Sequence, residues 1–191
     1  MEIKLFSDLI DALGKAAGSL KVLTNLAKNE RDHYRQVLDD TNQLMTTTLT
    51  MIILRLGDIL RTDDEAKFVQ EVRSLSNFSE WYEAERAFRL CASLRTAVRD
   101  AEDLGTRLGA RISIKDWNAL LQQMRCILPG ETQLAGYINE SFTVMSIRAG
   151  QVQAGTQEAK NLWANLEQVR DALKQERERL LRQEVELLDL V

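Results

Sequence analysis

The chain has few residues that interrupt helices and few that commonly carry out chemistry. Proline occurs once, at Pro129, and glycine nine times in 191 residues. So few breakers exclude a sheet fold with many tight turns and favour long helices. Histidine also occurs once, at His33. A single imidazole excludes zinc sites of the HExxH type and the paired ExxH motifs of helical di-iron proteins. His33 stands among Glu30, Arg31 and Asp32, without a GxSxG elbow or a cysteine-centred signature elsewhere, and reads as a surface residue.

The two cysteines, Cys91 and Cys126, form neither a CxxC motif nor a metal-like spacing. They fall on or near apolar faces and read as small buried hydrophobes. Phosphate-binding loops of the GxxxxGK[ST] and GxGxxG types are absent. The formal charge is −4 with no long Lys/Arg run, so nucleic acid is not an expected partner. The longest uncharged stretch, residues 41–54, is too short to span a bilayer. The first residues are soon interrupted by Asp8 and Asp11 and do not resemble a signal peptide, so a cytoplasmic protein is expected. Paired carboxylates such as Asp39-Asp40 and Glu80/Glu83 lack further ligand types around them and read as solvated faces. No catalytic residue, metal or cofactor is assigned, and the expectation is a chain that is not an enzyme.

What the chain does contain is helical periodicity. Hydrophobic residues make up 45% and charged residues 28%, which is enough to build a core. A first helix over Ile3–Ala27 carries Phe6, Leu9, Leu13, Ala16, Leu20 and Leu23 on one face. Gly14 and Gly18 lie within it as a GxxxG pair, a spacing that lets another backbone approach closely. Asn29 is a suitable N-cap for a second helix, Glu30 to Leu60, with Val37, Leu38, Met45, Ile52, Leu56 and Ile59 inward. The β-branched run Thr46-Thr47-Thr48-Leu49-Thr50 stays helical on this reading, with threonine hydroxyls bonding back one turn. Thr62 to Glu65 reads as a capping box ahead of a short helix to Leu75.

A long helix from Asn77/Glu80 to Leu108 follows, with Trp81, Ala84, Phe88 and Cys91 inward. Phe78 and Tyr82 complete an aromatic group with Trp81 and Phe88 that reads as core. Another helix covers Ser113–Ile127. Pro129-Gly130 is the sharpest break in the chain. A helix from Glu131 to Ala149 comes next, and Gly150 and Gly155 leave open whether 131–190 is one helix or two.

The last segment, Thr156–Leu190, places Ala159, Leu166, Leu173, Leu180 and Leu187 seven residues apart. Leu162, Val169 and Leu190 take companion positions, but Glu176 and Gln183 interrupt that second row. Such a helix either lies along the bundle or forms a zipper, and the broken row argues against a free two-stranded coil.

The expected fold is therefore all-α: an elongated antiparallel bundle with two or more long helices and a heptad-patterned C-terminal helix. It forms one domain over 1–191, with 156–191 as either a packed or a projecting, dimerising helix. The expected function is protein–protein interaction, as an adaptor or scaffold that binds a protein partner or itself in a homo-oligomer dependent on the last helix. The candidate contact residues are Gly14, Gly18, Leu166, Leu173, Leu180 and Leu187. The alternative is a membrane-active bundle whose first helix, with Lys4, Lys15, Lys21 and Lys28, is released onto a membrane surface.

Overall fold

The computed structural model describes residues 4–22, 28–76, 96, 99, 103 and 133–188. About 90% of this part is helical and none of it is strand, so the chain is all-α. Helix α1 spans Lys4–Val22 and α2 spans Lys28–Leu60. Helix α3 covers Glu65–Arg73 and runs into a 3-10 turn, Ser74–Ser76. Helices α4, Gln133–Gly150, and α5, Gln157–Leu188, complete the described part. The aromatic group Phe78, Trp81, Tyr82 and Phe88, both cysteines, the Glu80/Glu83 pair, the helix expected over 113–127 and the Pro129-Gly130 break lie outside the described residues. Within that stretch only Thr96, Arg99 and Asp103 are described, each helical and exposed.

Two local expectations are corrected. Asn29 is not a cap: α2 begins at Lys28 and Asn29 is an exposed residue of its first turn. The cap of α3 is Asp64 rather than a box opened by Thr62. Its carboxylate accepts from the amides of Ala66 and Lys67 at 2.8 and 3.1 Å, two of the donors a first turn leaves without partners. The question left open by Gly150 and Gly155 is also answered: residues 133–188 form two helices. The chain turns at 151–156, where Gly155 takes φ +83°, a left-handed conformation that side chains with a Cβ resist.

The core lies chiefly between α2 and α5, the most extensive helix pairing among the described residues. From α2 it takes Val37, Leu38, Met45, Leu49, Ile52 and Leu56. From α5 it takes Ala159, Leu166, Leu173 and Leu180, each at most 1% exposed. Burial of a leucine side chain to this degree contributes roughly 1.5–3 kcal/mol relative to exposure. The threonine run of α2 is helical; the back-bond to a carbonyl one turn earlier is made by Thr41, ahead of the run, to Val37 at 2.7 Å, whereas Thr46 Oγ1 within the run is buried without a partner among the described residues. Residues Arg35–Leu60 are long and apolar enough to cross a membrane by length and composition, and 53% of that window is buried inside the fold.

Helix α1 rests on both α2 and α5, burying Ile10, Ala12, Leu13 and Ala17. Helix α3 buries Phe68, Val69 and Val72, and the Phe68 ring meets Trp163 of α5 with centroids 4.4 Å apart. Helix α4 leans on α3 and its 3-10 turn rather than on α5, although only residues 151–156 separate it from α5 in sequence.

Arg73 fixes that corner. Its guanidinium donates to the carbonyls of Ala149, Gly150 and Val152 at 3.1, 3.4 and 3.2 Å, capping the C-terminal end of α4. From the other end of α3, Glu65 accepts from the Gly155 amide at 2.6 Å. The cation therefore sits at the negative end of the α4 dipole, where it stabilises the helix.

Candidate interaction surfaces

The sequence offers two candidate surfaces, one on α1, which packs against α2 and α5, and one on α5, which packs chiefly against α2. Leu166, Leu173 and Leu180 face inward and are covered by the chain's own helices. Leu187 lies within α5, and its side chain is outside the described residues. His33 lies within α2 on the same terms.

Gly14 and Gly18 behave differently from one another. A Cβ on Gly14 would stand 2.7 Å from Nε2 of Gln183, and only that side chain lies within 4 Å. A Cβ on Gly18 would meet nothing within 4 Å. Among the described residues no second backbone comes within 4 Å of the Cβ position of either glycine. The space at Gly14 is instead filled by Gln183, which donates to the Ile10 carbonyl at 3.2 Å. Two features that look unrelated in sequence, a glycine in the first helix and a polar break in the companion row of the last, are thus one contact. Glu176, the other break, accepts from Arg179 at 2.8 Å. Arg179 also binds Asp11 and donates to Ser7 at 3.4 Å, so a single side chain clasps α1 to α5. The bond to Asp11 raises the Arg179 pKa further above its ordinary value. A second buried polar tie lies nearby. Asn42 of α2 donates to the Leu180 carbonyl at 3.2 Å, with the residue 1% exposed.

The outer side of α5 carries the ion pairs its sequence spacing suggests. Arg170 reaches Glu167 and Asp171, Lys174 reaches Asp171 at 3.3 Å, and Arg182 reaches Glu178 at 3.8 Å. The hydrogen bond from Arg170, and then that from Lys174, holds the Asp171 carboxyl below its usual pKa. These pairs are solvent-facing, and each contributes little to stability. On α2, burial raises the Asp39 carboxyl above its usual value despite Arg35 at 3.6 Å. One of its oxygens, Oδ1, is buried without a partner.

The open surface lies between α4 and α5. Because α4 leans away onto α3, a wedge remains between the two helices, with a cavity of about 460 Å³. Val144, Met145 and Arg148 line it from α4, and Leu162, Asn165, Leu166, Gln168, Val169 and Ala172 from α5. Among the described residues the groove lining contains no carboxylate. Arg148 itself has no ion pair or side-chain hydrogen bond among the described residues. Val144 is 45% exposed and neighbouring Ile147 61%. On α5, Leu181 and Val185 are 42% and 57% exposed. Among the described residues no three His, Cys, Asp or Glu side chains come together as metal ligands would.

Comparison with protein-family models, with curated proteins and with solved structures found no match.

The sequence reading missed Val144, Ile147, Arg148, Leu181 and Val185. A signal for α4 was present. Phe142, Val144, Met145, Ile147 and Ala149 occupy more than one helical face, so no single neighbour can bury them all. For α5, the four-residue spacing of Leu181 and Val185 is a second apolar track beside the leucine row.

Proposed function

We propose that the chain is a non-enzymatic interaction module, an adaptor or scaffold in the cytoplasm, that associates with itself or with a protein partner through helix packing. The observation that carries this reading is the partly apolar groove between α4 and α5, with Val144 and Ile147 exposed beside an Arg148 that has no acidic partner among the described residues. Apolar grooves between helices are a recurrent seat for an amphipathic helix. The wider architecture we infer is an elongated antiparallel bundle. Asn42, near the middle of α2, meets Leu180, about three-quarters along α5, while Glu65, just after α2, meets Gly155, just before α5. The seven-residue row supports coiled-coil-like packing of α5 within the chain, and the exposed tracks on α4 and α5 remain for association.

Light scattering of the full chain over a range of concentrations tests the self-association. The expected mass rises above the 21.8 kDa of one chain. A mass that stays at one chain throughout overturns it. Deleting α5 is a poor test, because Leu166, Leu173 and Leu180 belong to the core.

The membrane reading draws on the attachment of α1. Polar ties from Arg179 and Gln183 supplement its buried apolar face, and an anionic surface competes for the arginine. Asp11→Ala should then increase leakage of anionic liposomes by the full chain. An absence of leakage from both wild type and variant defeats that reading.

A further inference from the structure

The α4–α5 groove and the exposed track near the end of α5 both carry apolar side chains and are opposite in charge. The groove presents Val144, Met145, Leu162, Val169 and Ala172 together with Arg148. The α5 track presents Glu178, Leu181 and Val185, three and four residues apart, and therefore on one helical face. Among the described side chains of α5, Leu181 and Val185 are the exposed large apolar ones, and Glu178 makes a long, exposed contact to Arg182.

At about 1.5 Å per residue the track from Glu178 to Val185 is about 10 Å long, and the groove wall from Leu162 to Ala172 about 15 Å. A chain's own track cannot fill its own groove. Both lie on the same continuous helix α5, and Leu181 follows Ala172 further along it. Only another molecule can bring the two together.

We infer that the groove of one copy receives the Glu178–Leu181–Val185 face of α5 from a second copy, with Glu178 pairing to Arg148. This rests on the self-association proposed above and names its interface. The contact is head-to-tail: groove and track are different surfaces of the same chain. Each bound copy leaves one groove and one track free, so assembly continues beyond a dimer or closes as a ring. Burying Arg148 against a carboxylate supplies the partner that it lacks among the described residues.

The test uses full-length protein and light scattering across concentration, with thermal unfolding as a control for folding. Val144→Asp and Leu181→Asp alter exposed positions and should leave the unfolding temperature close to wild type. Each should weaken association at least about tenfold, the loss of one well-placed anchor. An equimolar mixture of the two variants retains one intact interface. Its mass should rise to that of two chains and stop there. Arg148→Glu and Glu178→Arg should each weaken association, and together in one chain restore it.

If wild type associates but Val144→Asp or Leu181→Asp has no effect, the interface is overturned while self-association stands. A mixture that fails to pair also overturns it. If wild type never exceeds the mass of one chain, self-association itself fails.

Discussion

The side of α5 that meets α2 is closed, whereas the side that turns toward α4 is open. On the closed side Ala159, Leu166, Leu173 and Leu180 are sealed, and Asn42 and Gln183 tie the helices through backbone carbonyls. On the open side Leu162, Val169 and Ala172 line a groove, because α4 is drawn off by α3 and by Arg73. Both sides have comparable apolar spacing in sequence. Hydrophobic periodicity therefore identifies a face that favours burial, but not whether the same chain provides the cover.

The comparison breaks most directly by truncating each side in turn. Leu173→Ala on the closed side should cost about 2–5 kcal/mol, through lost transfer energy and the cavity left behind, as measured by denaturant unfolding. Val144→Asp on the open side should cost less than about 0.5 kcal/mol in the same assay. Equal losses would mean that the groove is as much core as the leucine row.

The next largest effect is expected at the corner that holds the groove open. Arg73→Ala removes a cation from three carbonyls and should cost about 1.5–3 kcal/mol, the range for hydrogen bonds to charged groups. If α4 then settles onto α5, protection of the Val144 and Val169 amides from hydrogen exchange should change with it.

The two glycines of α1 sharpen the edge of the closed side. Gly18→Ala meets nothing and should stabilise by about 1 kcal/mol through helix propensity. Gly14→Ala gains the same propensity but pushes Gln183 off the Ile10 carbonyl, so its net effect should fall clearly below that of Gly18→Ala. Equal gains would show that the Gln183 contact contributes nothing. The smallest effect is expected at Asp39. Burial disfavours its ionised form, so Asp39→Asn should be slightly more stable than wild type at neutral pH. That advantage should fade as pH falls through the raised pKa of Asp39 and the wild-type carboxyl takes up its proton. Thermal unfolding from pH 3 to 8 reads both the sign and the trend.

Much of the fold was legible because α1, α2 and α5 each have a strong 3.6-residue apolar pattern, and the sealed residues Leu38, Ile52, Leu166 and Leu173 all fall on it. Helix ends were less legible. Asn29 and Thr62 have suitable side chains for caps, yet the adjoining turns begin elsewhere because the cap depends on backbone entry as well as residue type. The candidate surface was least legible. Leu181 and Val185 resemble core residues in sequence. Their exposure follows from where α1 and α2 lie, which periodicity along one helix does not encode. Gly14 and Gln183 were each visible as anomalies. Their meeting depends on long-range packing across 169 positions of sequence.

The arginine at the corner also constrains how this chain can change over generations. Residues 151–156 are held at both ends by α3, through Arg73 to Val152 and Glu65 to Gly155. An added or deleted residue there moves those partners out of reach. Length variation in this turn should therefore accompany substitution at positions 65 and 73 in any descendant, while a turn of unchanged length should preserve both. In that sense two charged residues in a nine-residue helix act as the gauge for the spacing between the last two helices.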